Sequence, residues 1–346
     1  MIFRQFFDSA SGTYSYLMAS RQGGEALIID PVLEKVDRYL KLMEELDLRL
    51  VKAVDTHLHA DHITGLGALR DRTRCITVMG EQSQVDVVSM RIAEGDRLRV
   101  EGVSLDVLYT PGHTDDSYSF VLGDRVFTGD TLLIRGTGRT DFQNGDARVQ
   151  YESLQRLLRL PDETLVFPAH DYKGDTVSTI GEERRYNPRL RVHDADEYAA
   201  LMESLHLPNP KMMDVAVPAN MHQGLPTTEI SRFGWAVNVE EAAWLILRGE
   251  VIPVDLRERG EQERHGIIPS SLHAPYPDLQ ENIGPRGILH QLASASGKRL
   301  LFYCAFGERS AMAVQAAHDA GLATASHIEG GINAWKAAGQ SVQLLG

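Results

Sequence analysis

Four apolar runs in this 346-residue chain end in the same way. "VKAVDTH" delivers His57, "LDVLYTPGH" His113, "DRVFTGD" Asp130 and "TLVFPAH" His170. Strand ends in a layered α/β fold lie along one edge, so four such donors can meet at one point. Rigid strand ends also place side chains more accurately than free loops do. The first run continues as "THLHADH", where His57 and His59, two apart, lie on the same side of an extended chain. Asp61 and His62 follow in the turn before "ITGLGALR", which can open a helix. Imidazoles mixed with carboxylates suit zinc, iron or manganese better than calcium or magnesium. The donors His57, His59, Asp61, His62, His113, Asp130 and His170 can therefore serve one metal or two adjacent ones. Any one of these histidines alone would read as a packed or surface residue; the cluster together does not.

The same run of sequence outlines an α/β domain. "EALIIDP" reads as a buried strand stopped by Pro31, and Leu33, Val36, Leu40 and Met43 recur at helical spacing. "YESLQRLLRL" reads as a helix with Leu154, Leu157 and Leu158 on one side, ending at Pro161. From about residue 205 the texture changes: residues 205–232 carry four prolines and no period, which predicts a wrapping or linking segment. The expected domains are therefore 1–232 and 233–346, and the length suits two cores. The second stretch alternates helix and strand ("VNVEEAAWLILRGE", "VIPVDLRE", "RLLFYC", "RSAMAVQAAHDAGL", "ASHIEGG"), which predicts α/β with a mostly parallel sheet.

Composition narrows the partners. A net charge of −13 argues against nucleic acid, whose phosphates need a basic face. No run of 18 apolar residues appears, so no membrane span is expected, and the N-terminus lacks the pattern of a secretory signal. With only Cys75 and Cys304, reduced thiols in a cytoplasmic setting are expected. Cys75, in "RTRCITVM", reads as structural. Cys304 instead follows a strand-like run and precedes a helix starting near Arg309. The loop between them can turn several backbone N–H groups toward one sulfur, favouring a thiolate or persulfide anion. Arg309 adds a positive charge able to receive sulfite or thiosulfate.

The spacing of "THLHADH", "PGH", "TGD" and "PAH" resembles the metallo-β-lactamase superfamily, which implies an αββα sandwich with its metal site at one edge. That fold hosts many chemistries. "GTGRTDFQNG" (136–145) and "VAVPANMHQG" (215–224) resemble the persulfide dioxygenases, also called sulfur dioxygenases, within it. Thr137 departs from relatives that carry a cysteine there, so no thiol contribution is expected. The resemblance implies one Fe(II) on His57, His113 and Asp130, open to substrate and O2, with His59, Asp61, His62 and His170 either supporting those ligands or holding a second metal. Arg139, as a bidentate fork, and Tyr172, two residues past His170, are the candidates for binding glutathione.

Residues 233–346 resemble a rhodanese sulfurtransferase domain through "VIPVDLRE", "RHGIIPSSLHAP", the Cys304–Arg309 loop and "EGGINAW". The nucleophile is present, which implies an active copy. Together the resemblances imply a bifunctional enzyme. One half oxidises glutathione persulfide with O2 to sulfite and glutathione; the other moves sulfur between thiosulfate or sulfite and glutathione through a Cys304 persulfide. The alternatives are a dinuclear zinc thioesterase of the glyoxalase II kind with a rhodanese attached, and a sulfur carrier with a degenerate metal site. A homo-oligomer is compatible with the sequence and not specified by it.

Overall fold

A computed structural model describes residues 1–205, 207, 212–222 and 235–345. The chain divides into two compact units, Met1–Asp86 with Met90–Gln223, and Val87–Ser89 with Gly224–Gly346.

The first unit is a sandwich of two six-stranded sheets with helices outside. One sheet contains β1 (Ile2–Asp8), β2 (Thr13–Ala19), β3 (Glu25–Ile29), β4 (Arg49–Val54), β5 (Ile76–Gly80) and β6 (Met90–Ile92) in chain order. The other runs from β7 (Arg97–Val100) through β8 (Val103–Tyr109), β9 (Tyr118–Leu122), β10 (Arg125–Gly129) and β11 (Leu165–Pro168) to β12 (Ser178–Thr179). Aromatic residues join the inner faces: the Tyr16 ring lies 5.0 Å from Phe127 and 5.5 Å from Phe167. Phe3 and Phe6 point to opposite sides of β1, as their odd spacing requires. Phe3 packs inward on Phe167, and Phe6 packs outward on Tyr39 of the helix Val36–Glu45.

The strand directions explain how the donors meet. Strand β9 is antiparallel to both β8 and β10, and β10 is parallel to β11, so β8, β10 and β11 all end at one edge. His113, Asp130 and His170 leave from those ends. The loop after β4 is stitched to the same edge by Tyr118 N–H donating to the Thr56 carbonyl. A bridge between Thr13 and His170 ties β2 there as well.

Two local expectations are corrected. Leu33 is exposed, because it lies in a separate 3-10 turn before the helix; the helix buries Val36 and Met43 as expected, with Tyr39 added and Leu40 only partly covered. Within 205–232, residues 206, 208–211 and 223–232 lie outside the described residues, but Met213–Met221 is a helix that contains Pro218. Its mixed composition hid the period. The helix Ala147–Leu157 agrees with its apolar spacing: Asp146 caps it by accepting from Arg148 and Val149 N–H, and Leu154 and Leu157 are fully buried against Val126 and Val166.

The second unit holds a sheet in the order β13 (Ala236–Val237), β17 (Ser326–Ile328), β16 (Arg299–Tyr303), β14 (Val251–Asp255), β15 (Leu272–His273), with every pair parallel. Its core joins Leu301, Tyr303 and Ile328 to Ile332 and Trp335. Among the described residues, no helix is long and apolar enough to cross a membrane.

Leu154→Ala should destabilise the first unit by about 2–5 kcal/mol through the cavity it leaves. A lowered denaturation midpoint, with tryptophan signals of the second unit unchanged, is the expected reading.

Candidate metal centre and sulfur site

The seven donors form two groups on the shared edge. His57, His113 and Asp130 bring one ligand atom each to within 4.8 Å of one another, and His59, Asp61, His62 and His170 do the same beside them. The four strand-end donors, with His59 and His62, are buried; only Asp61 is partly exposed. Gly129, at φ +52, makes the turn that swings Asp130 off its strand, and a Cβ there would strike Thr56 at 2.8 Å.

Each histidine of the first group is oriented by an acceptor behind it. His113 Nδ1 donates to the Arg139 carbonyl at 2.7 Å, leaving Nε2 3.6 Å from Asp130 Oδ2. Thr56 donates both its N–H and its hydroxyl to Asp30, so the hydroxyl oxygen is left to accept from His57 Nδ1 at 2.9 Å. That leaves the His57 Nε2 lone pair for a ligand, the usual arrangement behind metal-binding imidazoles. Burial, aided by neighbouring imidazoles, holds His57 and His59 well below the usual histidine range, so both are neutral and able to ligate. Burial also pushes Asp30 up to about 6, against the pull of His57 and the Thr56 donors.

The second group is bonded largely to itself. His170 donates from Nδ1 to Asp130 Oδ1 at 2.7 Å and from Nε2 to Asp61 Oδ2 at 2.8 Å. Burial opposes charge on His170, but the two carboxylates raise it well above the usual range. Burial likewise works to raise Asp130 and Asp61, and the facing imidazoles overcome it and hold both well below ordinary carboxylates. The Thr13 hydroxyl lies within 3.3 Å of Asp61, His62 and His170 together. His59 Nδ1 and His62 Nε2 are buried and have no hydrogen-bond partner among the described residues.

A cleft of about 500 Å³ opens over the first group. Leu133, Ile134, Phe142 and Met212 line it, with Arg139, Tyr172, Lys173 and Arg189. Arg139 differs from its expectation: its fork is taken by Asp141, through Nε and Nη2 at 2.6 Å each, and its ring neighbour is Phe142. Its backbone carbonyl is nonetheless what orients His113. Tyr172 is 71% exposed and stacked parallel to the His170 ring, so it stands on the rim and not in the core. Thr137 is buried and bonded to Tyr198 and Arg189.

Two residues went unseen in the sequence. Asn220 donates to the carbonyls of His59 and His62 and accepts from Thr64 N–H, clamping "THLHADH" from over 150 residues away. It lies in the quoted "VAVPANMHQG", which was the available signal. Arg189 donates to Thr137 and has no carboxylate partner among the described residues. Nothing local marked it.

In the second unit Cys304 lies directly after β16, and Gly307 N–H donates to its sulfur at 3.1 Å. Arg309 corrects the expectation that it receives an anion. It is fully buried, and Glu261 holds both its terminal nitrogens at 2.8 and 2.6 Å, neutralising its charge. Cys75 is buried and in no disulfide.

The metallo-beta-lactamase superfamily model matches residues 9–84 and 80–170, and the rhodanese-like domain model matches residues 238–338. The persulfide dioxygenase ETHE1, mitochondrial, of Mus musculus is 47% identical over 231 residues, which are 66% of this chain and 90% of that protein. The chain belongs to the persulfide dioxygenase family. The crystal structure of ETHE1 from Myxococcus xanthus superposes with a TM-score of 0.62 at 55% identity, covering 64% of this chain and 98% of that one. A hydroxyacylglutathione hydrolase of Haemophilus ducreyi is more distant, at 34% identity over 55% of this chain and 93% of that protein. Family membership and the rhodanese-like domain make this chain an enzyme of sulfur metabolism.

Asn220→Ala should lower metal affinity about 10–100-fold, the usual effect of losing a support behind the ligands. Competition with a chromophoric chelator reads it, and unchanged affinity would remove the clamp from the account.

Proposed function

We propose that the first unit oxidises glutathione persulfide to glutathione and sulfite with O2 and water, and that the second transfers sulfane sulfur through Cys304. The observation that carries the first half is the group His57, His113 and Asp130 beneath the cleft, in a chain 47% identical to a persulfide dioxygenase. The donor set fits a metal: two imidazoles and one carboxylate, each held from behind. A ferrous ion on these three residues would supply the electron density that O2 chemistry requires and that zinc lacks.

The rest of the work falls to the protein. His170 occupies Oδ1 of Asp130, so Oδ2 faces the pair of histidines. His170 meets Asp130 through Nδ1 and Asp61 through Nε2, which ties the two donor groups together. Arg189 and Lys173, neither of which has a carboxylate partner among the described residues, suit the two carboxylates of a glutathionyl substrate. The apolar wall of Leu133, Ile134 and Phe142 keeps water from the reacting sulfur. Arg139 serves chiefly through its carbonyl, and Tyr172 covers the rim.

In the second unit the Cys304 thiolate attacks the outer sulfur of thiosulfate. The S–S bond breaks, sulfite leaves with the electron pair, and a cysteine persulfide remains. The thiolate of glutathione then attacks that terminal sulfur, forming glutathione persulfide and restoring the Cys304 thiolate; either step can run in reverse. The dinuclear zinc hydrolase remains the second reading because His59 Nδ1 and His62 Nε2 are buried without hydrogen-bond partners among the described residues.

Metal analysis after anaerobic purification should give about one iron per chain; two zinc ions, with no oxygen uptake on added glutathione persulfide, would favour the hydrolase. Asp130→Ala should abolish oxygen uptake and spare thiosulfate:glutathione sulfur transfer, and Cys304→Ser should do the reverse. Arg189→Ala should raise KM for glutathione persulfide roughly tenfold with little change in kcat, as expected for a lost charge-assisted contact.

A further inference from the structure

Behind Cys304 stands a buried histidine that the sulfur-transfer chemistry leaves without a task. His327, on β17, is 4% exposed. Its Nδ1 lies 3.3 Å from the Ser310 hydroxyl, and that oxygen lies 3.6 Å from Cys304 Sγ. Its Nε2 is buried with no hydrogen-bond partner among the described residues.

Chemistry assigns the proton. Burial pushes His327 down to about 4, so the ring is neutral near pH 7 and carries a single N–H. On Nε2 that N–H would be a buried donor without an acceptor; on Nδ1 it has Ser310. Ser310 then receives a hydrogen bond from His327, and its own hydrogen has two acceptors within reach, the Gly307 carbonyl at 3.0 Å and the Cys304 sulfur. A neutral thiol leaves that hydrogen on the carbonyl. An anionic sulfur is the stronger acceptor and draws the hydroxyl toward itself, while the imidazole N–H polarises the chain from behind.

We infer that His327, acting through the Ser310 hydroxyl, is a positioning residue that stabilises anionic sulfur at Cys304. The inference rests on the sulfurtransferase reading of that cysteine. Other charged groups around the sulfur are already committed. Arg309 is held by Glu261 of the helix Arg259–His265, Glu258 lies next to that pair, and Glu308 at the start of the Cys304 helix bonds Ser89. Among the described residues, burial and the backbone at Ile328 act on His327, and no charged group does.

The test is the rate at which iodoacetamide alkylates Cys304 across pH, located by mass spectrometry, in the full-length protein. Ser310→Ala and His327→Phe should each move the acid limb of the rate profile about one unit to higher pH, so that alkylation on that limb slows about tenfold. His327→Asn, whose side-chain amide can supply the same donor, should restore most of the rate. In a serial chain the Ser310→Ala/His327→Phe double variant should be no slower than the slower single variant. Profiles of Ser310→Ala and His327→Phe that both match the parent would overturn the inference, as would fully additive losses in the double variant. Failure of the parent to transfer sulfur from thiosulfate would instead count against the sulfurtransferase reading, because alkylation reports on the sulfur alone.

Discussion

The ring of His170 is held between two carboxylates, Asp130 on one nitrogen and Asp61 on the other. Much of the first unit is arranged around that contact. Asp130 and His170 come from parallel neighbours β10 and β11, Asp61 from the loop after β4 in the other sheet, and Thr13 of β2 touches both Asp61 and His170. The chain of charge therefore ties the two sheets together at the edge where the donors gather. Burying such a network adds little stability for its own sake. What it provides is orientation: one oxygen of Asp130 is taken, and the other is left facing His57 and His113.

The two units handle sulfur with similar architecture and opposite electrostatics. Both place the reacting group just beyond the end of a strand whose neighbours hold the supporting residues. The first surrounds its proposed metal ligands with paired charges, and its imidazoles are aimed by a carbonyl and a hydroxyl. The second surrounds a sulfur with neutral donors, the Gly307 N–H and the Ser310 hydroxyl, and pairs the nearby Arg309 with Glu261. An anion stabilised by dipoles can be handed on as persulfide and thiolate alternate, because no ion pair must break at each step.

Much of this was legible in the sequence, for a local reason. His57, His113, Asp130 and His170 each follow an apolar run, and strand ends converge by topology alone. Cys304 was legible in the same way, between a strand-like run and a helix start. What stayed hidden depended on contacts far along the chain. Asn220 reaches the "THLHADH" loop through a helix whose composition carries no period, and Arg189 enters the cleft from a turn with no motif around it. Arg309 was misread because Glu261, 48 residues earlier, gives no sign in the sequence that it turns inward. Leu33 failed for a smaller reason: helical spacing cannot show that a 3-10 turn has shifted the register ahead of the helix.

One stretch of backbone does two jobs. The loop from Gly136 to Phe142 forms a wall of the cleft, and through the Arg139 carbonyl it also aims His113. Gly138 sits so close that a Cβ there would fall 2.7 Å from the His113 ring and 2.3 Å from the Asp130 carbonyl. Remodelling this wall to admit a bulkier thiol would therefore disturb the imidazole behind it. Substrate range and metal retention are thus inherited together, and a lineage drifting toward new substrates would find easier routes outside this loop, around Tyr172 and Lys173.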